Sequence, residues 1–153
     1  STTAIHDAFE RFVEAWDEKK KVYVLYLGDH DASGLDMDRD IRDRVQTFAN
    51  GHYDDEIDLS DKFEIIRVAL TNKQVKQYNP PPNPAKISDP RATGYIAKYG
   101  RTSWEVDALP PQVLNQLLTD AIEGLIDYEK YEDMMQEEKV DKKKLKEVID
   151  GWK

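Results

Sequence analysis

The spacing of hydrophobic residues changes several times along the first half of the chain, and each spacing predicts an element. Apolar residues recur every three or four positions between 5 and 16, which predicts an amphipathic helix with hydroxyl caps in Ser1–Thr3. Lys21–Leu27 and Phe63–Leu70 are nearly continuous apolar runs, as expected of buried parallel strands. The stretch between them begins as a polar loop at Gly28 and becomes a helix that we expect to end at Gly51.

After the second strand, the pattern predicts short elements around a stiff loop. Thr71 is suited to cap a helix that follows at once. The prolines in Asn79–Pro84 exclude helix and central strand, because proline lacks an amide donor and restricts the residue before it. A further short helix should be capped by Ser88 and ended by Gly100. The alternation of strands and helices predicts an α/β fold in which helices flank a parallel sheet.

The last third of the chain is predicted to be mainly helical. Ser103–Leu109 alternates apolar and polar residues, which is typical of a short strand. Residues 111–126 have a wide apolar helical face that belongs in a core, whereas residues 127–153 are dense in charge and carry a narrow apolar seam. We therefore divide the chain into an α/β domain over 1–126 and a charged C-terminal helical extension over 127–153.

Composition narrows the possible functions. The 153 residues include 22 Lys and Arg against 31 Asp and Glu, a net charge of -9, and no cysteine. The negative electrostatic field of the whole chain disfavours a protein that coats nucleic acid or anionic membrane. Because the chain has no cysteine, its folding does not depend on disulfides. No apolar run approaches the roughly 18 residues of a membrane span, so we expect a soluble cytoplasmic protein without a membrane partner.

Charge is distributed unevenly along the chain. Between Asn72 and Arg101 six cations accompany the single anion Asp89, a local charge of +5 that leaves -14 for the rest. Tyrosines at 78, 95 and 99 are interleaved with these cations, which suits phosphate contact and base stacking, although a solvated basic face explains the composition equally well. The candidates for DNA-phosphate binding are Lys86 and Arg91, followed by Lys98 and Arg101.

The strongest candidate site follows the first strand. Asp29, Asp31 and Gly34 form a DxDxxG pattern at the carboxyl end of that strand, where ligands bind in open parallel sheets. Two carboxylates about 4 Å apart repel by about 1 kcal/mol in water and about 4 kcal/mol at an effective dielectric near 20, and a divalent cation relieves that repulsion. Oxygen ligands favour Mg²⁺ or Mn²⁺. Gly28 and Gly34 allow the backbone to approach closely.

Other residues could contribute to this site. Glu105 and Asp107 would share one face of the strand predicted over Ser103–Leu109, so either could support the metal or orient a cation. His30 lies between the two aspartates and by alternation would point away from them, which favours a packing role.

Three other interpretations of the aspartates remain open. An EF-hand loop would use Asp29, Asp31, Ser33 and a last ligand at Asp40, although a strand precedes the loop and glutamate is usual at its end. A phosphatase of the haloacid dehalogenase type would use Asp29 as nucleophile, but no convincing later lysine and aspartate pair follows. Both aspartates could also simply cap the helix that follows.

The ordered motifs resemble a known family. VLYLGDHDASG resembles the metal-binding strand and loop of Toprim domains, which topoisomerases, bacterial primases and a class of nucleases share. From about residue 22 to 126, GDHDASGLDM, RVALTNKQVKQYN, PPNPAKISDPRA and SWEVDALPP look like the topoisomerase VI (type IIB) A subunit and its phage and archaeal relatives. The resemblance implies a Toprim-like (Rossmann-like) fold, Mg²⁺ or Mn²⁺ held by the catalytic residues Asp29 and Asp31, and DNA as partner. A second copy or an ATPase subunit is a further implied partner.

The chain departs from the Toprim pattern in one respect. Toprim domains carry a glutamate on a strand before the DxD motif, whereas the acidic residues before Asp29 here belong to the predicted first helix. Because the first residue is Ser1 rather than Met, we expect the chain to begin inside the Toprim domain and to be inactive by itself.

Three functional hypotheses follow from these patterns. The first is a Mg²⁺-dependent domain that cleaves and rejoins DNA phosphodiesters, as a topoisomerase or nuclease, within a larger nucleoid-associated protein. The second is a non-catalytic Toprim-like module that binds DNA or protein. The third is a metal-dependent phosphatase with Asp29 as nucleophile.

Overall fold

Two parallel strands lie at the centre of the α/β part of the protein. In the computed structural model, which describes residues 2–152 and the side chains of 3–152, β1 (Val22–Leu27) pairs with β2 (Phe63–Ala69). Val22 lies opposite Phe63, and the register shifts at a β-bulge near the end of β1. The α/β class and the parallel pairing are confirmed, and within residues 2–152 the parallel sheet consists of these two strands.

The first helix supplies one side of the core. α1 (Thr2–Asp17) buries Phe9 and Trp16, and the Trp16 indole N–H donates to the carbonyl oxygen of Lys62 at 2.9 Å. Burying a side chain such as Phe9 contributes about 1.5–3 kcal/mol, so the spacing of apolar residues fixes which face of α1 packs. The predicted caps at Ser1 and at the side chain of Thr2 lie outside the described residues. The buried partners of this first cluster are Val45, Ala49, Leu59 and Phe63.

The helix between the two strands is longer than the sequence predicts. α2 (Ala32–Tyr53) begins directly after the second aspartate of the motif, so the polar loop is confined to 28–31. The predicted end at Gly51 is wrong, because the helix continues to the left-handed residue Asp54 (φ 51°). A glycine inside a helix costs about 1 kcal/mol. The additional turn packs the His52 ring against Phe9, with ring centroids 5.9 Å apart, and this contact offsets part of the cost.

The helix after β2 begins as predicted. α3 (Asn72–Tyr78) has a capping box, in which the Gln74 amide donates to the Thr71 hydroxyl at 3.3 Å and the Thr71 amide donates to Gln74 Oε1 at 2.8 Å. This exchange satisfies amides that the helix itself cannot bond. A second buried cluster forms around the helix from Ala69, Leu70, Val75 and Leu109.

The proline-rich segment contains a two-residue strand at the edge of a small sheet. β3 (Asn83–Pro84) pairs antiparallel with β4 (Thr102–Ser103). Proline is compatible with this position because an edge strand leaves one row of its backbone groups unpaired. The segment is therefore neither helix nor central strand, as predicted, and its pairing partner was not apparent from the sequence.

A short helix connects the two edge strands. α4 (Ala92–Tyr99) ends at Gly100, which has a φ of 82° and therefore favours glycine, as predicted. The predicted cap at Ser88 is wrong, because the carboxylate of Asp89 holds a turn ahead of the helix by accepting the Arg91 amide at 2.8 Å.

The strand predicted over Ser103–Leu109 is wrong beyond its first residue. Trp104 makes an isolated antiparallel bridge with His30, and the chain then turns into a 3₁₀ helix over Val106–Ala108. Leu109, which is buried, donates its amide to the Val106 carbonyl oxygen at 3.2 Å. A turn of three residues directs both Val106 and Leu109 into the second cluster, and this packing overrides the alternating pattern.

The C-terminal part is helical as predicted, but less of it is buried. α5 (Pro111–Glu123) packs Val113, Leu114 and Leu117 on the second cluster, and α6 (Tyr128–Asp150) follows. The prediction that the whole apolar face over 111–126 enters a core is wrong, because its distal residues Ile122, Leu125 and Ile126 are exposed. The chain forms two compact units, 1–118 and 119–153. Within the described residues no helix is long and apolar enough to cross a membrane.

Candidate functional site

Asp29 lies just beyond β1 and binds the backbone of a segment far along the chain. Its Oδ1 accepts the amide of Val106 at 2.9 Å, the first residue of the 3₁₀ helix. The first amides of a helix have no partner within the helix, so the carboxylate satisfies one of them. Asp29 therefore does not cap α2, and its Oδ2 has no protein partner among the described residues.

Asp31 is the N-cap of α2, as one of the alternative interpretations predicts. Its Oδ1 accepts the Gly34 amide at 2.6 Å and the Ser33 hydroxyl at 3.0 Å, and the residue is 8% exposed. Its Oδ2 lies 3.9 Å from the ammonium nitrogen of Lys86. Asp31 thus stabilises the helix start with one oxygen and faces a cation with the other.

The EF-hand interpretation is wrong. The residues after Asp31 are helical from Ala32 onward, whereas an EF-hand requires a loop of twelve residues at this point. Asp40, its proposed last ligand, instead accepts a hydrogen bond from Arg44 Nε at 2.8 Å on the side of α2.

The two glycines of the loop occupy positions where the backbone is crowded. A Cβ atom at Gly34 would overlap the carbonyl oxygen of Asp29, and a Cβ atom at Gly28 would overlap the Tyr26 side chain. The Gly34 carbonyl also accepts a hydrogen bond from Arg67 Nη2 at 2.6 Å. Close approach of backbone is thus present at Gly34, where it holds Asp29 and Asp31 on one short turn, whereas the neighbour at Gly28 is a side chain.

A cavity of about 250 Å³ brings predicted residues from separate parts of the sequence together. Asp29 and Asp31 come from the loop after β1, Lys86 follows the proline-rich strand, and Glu105 follows β4. Asp107 does not line this cavity, because it belongs to the 3₁₀ helix instead of a strand shared with Glu105. The remaining lining residues are Asn83, Pro84, Ser103 and Trp104.

The carboxylate oxygens of this cavity are only partly engaged by the protein itself. Asp29 and Asp31 each engage Oδ1 with a backbone amide, and neither Oδ2 is held by a hydrogen bond within the described chain. Mg²⁺ usually takes one or two carboxylates and completes its shell with water or phosphate oxygens. Within residues 2–152 no three acidic, histidine or cysteine side chains are grouped closely enough to hold an ion by themselves. Any ion held by Asp29 and Asp31 would therefore have to complete its shell with water or phosphate oxygens.

The other predicted phosphate-binding residues lie elsewhere. Arg91 pairs with Asp36 Oδ2 at 3.1 Å and with Asp89 Oδ1 at 2.9 Å, so its charge is already compensated. Arg91 and Lys98 line a different cavity, of about 400 Å³, with Tyr95 and Tyr99 among its walls. Arg101 lines neither cavity; its carbonyl oxygen accepts the Ala85 amide at 3.0 Å beside β3. Of the four predicted phosphate-binding residues, Lys86 therefore lies at the acidic cavity, whereas Arg91, Lys98 and Arg101 do not line it.

The ion pairs of Arg91 also affect an acidic residue at the start of α2. Arg39 and, to a smaller extent, Arg91 donate hydrogen bonds to Asp36 and lower its pKa from 3.8 to about 2. Asp36 is therefore ionised throughout the physiological pH range, and it pairs with Arg91 at the wall of the larger cavity.

His30 lies at the centre of a buried aromatic cluster, in agreement with the predicted packing role. It is 1% exposed, and its ring makes edge contacts with Tyr95, Tyr99 and Trp104 at centroid distances of 4.7–5.8 Å. Burial lowers the pKa of His30 and favours the neutral ring. Because His30 is in the chain between Asp29 and Asp31, this packing fixes the backbone that carries both carboxylates.

Tyr95 is the positioning residue that sequence reasoning missed. Its hydroxyl lies 2.8 Å from the carbonyl oxygens of His30 and Thr102 and 3.1 Å from His30 Nδ1. Since carbonyls only accept, we assign the proton of Tyr95 to them and a proton on Nδ1 to the His30 bond. Burial, with a smaller effect from the charge of Asp31, raises the pKa of Tyr95 to about 12. The available signal was the helical spacing of Ala92, Tyr95 and Tyr99, which does not distinguish the two tyrosines.

Comparisons with known proteins give no relative. No protein-family model, no curated protein and no solved structure matches this chain.

Proposed function

We propose that this chain is the metal-binding part of a Mg²⁺- or Mn²⁺-dependent domain of Toprim type that acts on DNA phosphodiesters, as a topoisomerase A subunit or a nuclease does. The observation that carries the proposal is the cavity lined by Asp29, Asp31, Glu105 and Lys86. Acidic oxygens that bind a divalent cation beside a lysine that binds phosphate are what a phosphodiester site requires. A second copy or an ATPase subunit remains the proposed partner in the larger protein, at the nucleoid.

Each residue of the cavity has a definite role under this proposal. Asp29 and Asp31 would hold the cation through Oδ2, while their Oδ1 atoms keep the loop and the helix start fixed. Glu105 would act through water bound to the ion, because the three carboxylates are not grouped closely enough to bind one ion directly. Lys86, whose side chain is 76% exposed, would exchange its contact with Asp31 for a DNA phosphate. The bound cation would supply stabilisation of negative charge on the scissile phosphate.

The test is a titration of the chain with Mg²⁺ and Mn²⁺, followed by NMR at the backbone amides of residues 28–34 and 104–106. We expect saturable Mg²⁺ shifts and local Mn²⁺ broadening in the wild type, both strongly reduced in Asp29→Asn and moderately reduced in Glu105→Gln. Asp107→Asn is the matched control, because it removes the same charge outside the cavity lining. Unchanged spectra at millimolar metal would overturn the cation site.

A second candidate function is a non-catalytic DNA-binding module. It is favoured by the structural use of both Oδ1 atoms and by the Lys86–Asp31 contact, which together stabilise the loop without any metal. In that case DNA binding would weaken with salt and in Lys86→Ala, and no nicking would occur at any metal concentration. Turnover of a small phosphate ester that is lost in Asp29→Asn would instead support the phosphatase hypothesis.

A further inference from the structure

α6 has more exposed apolar side chains than is usual for a helix that contacts only water. The exposed fraction of its large apolar residues reaches 65% at Leu145, Met135 is half-buried, and Trp152 just after the helix is 88% exposed. Charged side chains cover much of the helix, and the exposed apolar residues Met134, Val140 and Val148 lie among them. Apolar groups repeated along one line of a helix usually mark a surface that another helix covers.

The seam has the seven-residue period of a coiled coil. Counting from Tyr128 at alternating intervals of three and four gives seven positions on one side of α6 and an eighth, Trp152, just after its end; six of these eight are apolar. The two exceptions, Glu138 and Lys142, occupy the middle and form an ion pair at 2.7 Å within the helix. The eight positions, which we name the α6 seam, are Tyr128, Tyr131, Met135, Glu138, Lys142, Leu145, Ile149 and Trp152.

Charge along α6 is segregated into two halves. Residues 129–138 contain five acids and one lysine, a net charge of -4, whereas residues 139–148 contain five lysines and two acids, a net charge of +3. This order also suits the helix dipole, which favours acids near the N-terminus and bases near the C-terminus. The dipole does not account for the seam, and the two features together suit a partner with complementary charge.

We propose that this partner is a second copy of the chain, and that two α6 helices pair in antiparallel orientation through the seam. The two-fold axis then passes residue 140, so a residue a given number of positions before 140 in one copy faces the residue the same number of positions after 140 in the other. Glu138 of one copy then lies opposite Lys142 of the other, and each acidic half lies along a basic half. The three apolar layers pair Tyr128 with Trp152, Tyr131 with Ile149 and Met135 with Leu145.

A parallel pair is disfavoured by the same residues. In a parallel arrangement each residue meets its own counterpart, so Glu138 would face Glu138 and Lys142 would face Lys142 at the centre of the interface. Like charges in a helix interface are strongly unfavourable and commonly determine orientation. The antiparallel pair is also closed by its two-fold axis, so it ends at a dimer.

The oligomeric state of the full chain tests the proposal. Sedimentation equilibrium from about 1 µM to about 500 µM should show a monomer–dimer equilibrium. Glu138→Lys places lysine against lysine in two symmetric contacts and should weaken the dimer at least about tenfold. Glu137→Lys is the matched control, with the same change of charge outside the seam, and should change the dissociation constant by less than about threefold.

Restoration of the dimer separates charge pairing from general damage to the helix. An equimolar mixture of Glu138→Lys and Lys142→Glu chains re-forms both central ion pairs, so it should dimerise where neither variant does so alone. The double variant in one chain should dimerise as the wild type does. A monomer at every concentration, an effect of Glu138→Lys no larger than that of Glu137→Lys, or no restoration on mixing would each overturn the proposal.

Orientation is measured separately. The chain has no cysteine, so Glu129→Cys provides a unique site for a spin label on the solvent side of the helix. Antiparallel pairing places residue 129 opposite residue 151 of the second copy, so the two labels should be about 33 Å apart along the axis. Labels within about 15 Å of each other would indicate a parallel pair and refute the antiparallel register.

Discussion

Asp31 combines a structural and a proposed binding role, and two substitutions separate them. Its Oδ1 accepts the buried Gly34 amide at the start of α2, and its charge is proposed to attract the cation. Asp31→Ala removes both roles. Asp31→Asn removes the charge and keeps an oxygen that accepts the Gly34 amide, because Asn and Asp are comparably good N-caps.

The structure allows the two effects on stability to be estimated. Loss of an N-cap costs about 0.5–2 kcal/mol, and a buried amide left without a partner costs about 1–3 kcal/mol. The contact with Lys86 adds about 0–1 kcal/mol, because Lys86 is mostly exposed and the two atoms are 3.9 Å apart. We therefore expect Asp31→Ala to lower the free energy of unfolding by about 1–3 kcal/mol. Asp31→Asn should lower it by less than about 1 kcal/mol.

Urea denaturation followed by circular dichroism measures both values, and the metal titration is repeated on each variant. The reasoning requires Asp31→Asn to be nearly as stable as the wild type and yet to lose most of its response to Mg²⁺. If Asp31→Ala were as stable as the wild type, or Asp31→Asn as unstable as Asp31→Ala, the capping role would be refuted. If Asp31→Asn responded to Mg²⁺ like the wild type, the charge of Asp31 would have no part in binding.

Two further predictions concern residues around the site. Tyr95→Phe leaves the carbonyl oxygens of His30 and Thr102 without this donor. We therefore expect the free energy of unfolding, measured by urea denaturation, to fall by about 1–3 kcal/mol. A fall below about 0.5 kcal/mol would contradict the role of the hydroxyl. The pKa of Asp36 is lowered from 3.8 to about 2, mainly by Arg39, so its contribution to stability is present above pH 3.8 and is lost as the pH falls towards 2. Asp36→Asn should flatten that part of the stability profile, and an NMR titration midpoint near 3.8 in the wild type would refute the shift.

The elements that the sequence predicts well are those whose signals are local. The apolar runs predict β1 and β2 within one residue, and the hydroxyl of Thr71 predicts the start of α3. The errors occur where a distant contact decides the outcome. The alternation over Ser103–Leu109 is overridden because Asp29 binds the Val106 amide and Leu109 packs in the second cluster, neither of which a local pattern contains.

The same distinction applies to the candidate site. The DxDxxG pattern identified Asp29 and Asp31, and the crowding at Gly34 follows from the same short turn. Composition did not show how the basic residues are distributed: Arg91 is paired with Asp36 and Asp89, while Lys86 is the one cation that lines the acidic cavity within residues 2–152. The ion pair of Arg91 with Asp36 joins residues that are far apart in the sequence, so it depends on the tertiary fold.

By itself, the sequence determined the α/β class, the parallel pair of strands, the acidic turn after β1 and the helical, charged C-terminal segment. These features depend on periodicity and on the chemistry of neighbouring residues, which the order of residues specifies directly. Only the tertiary structure decided that Glu105 and Lys86 join Asp29 and Asp31 in one cavity and that Asp107 and Arg91 do not. That selection depends on long-range hydrogen bonds and on the burial of His30 against Tyr95, which fix how separate segments meet.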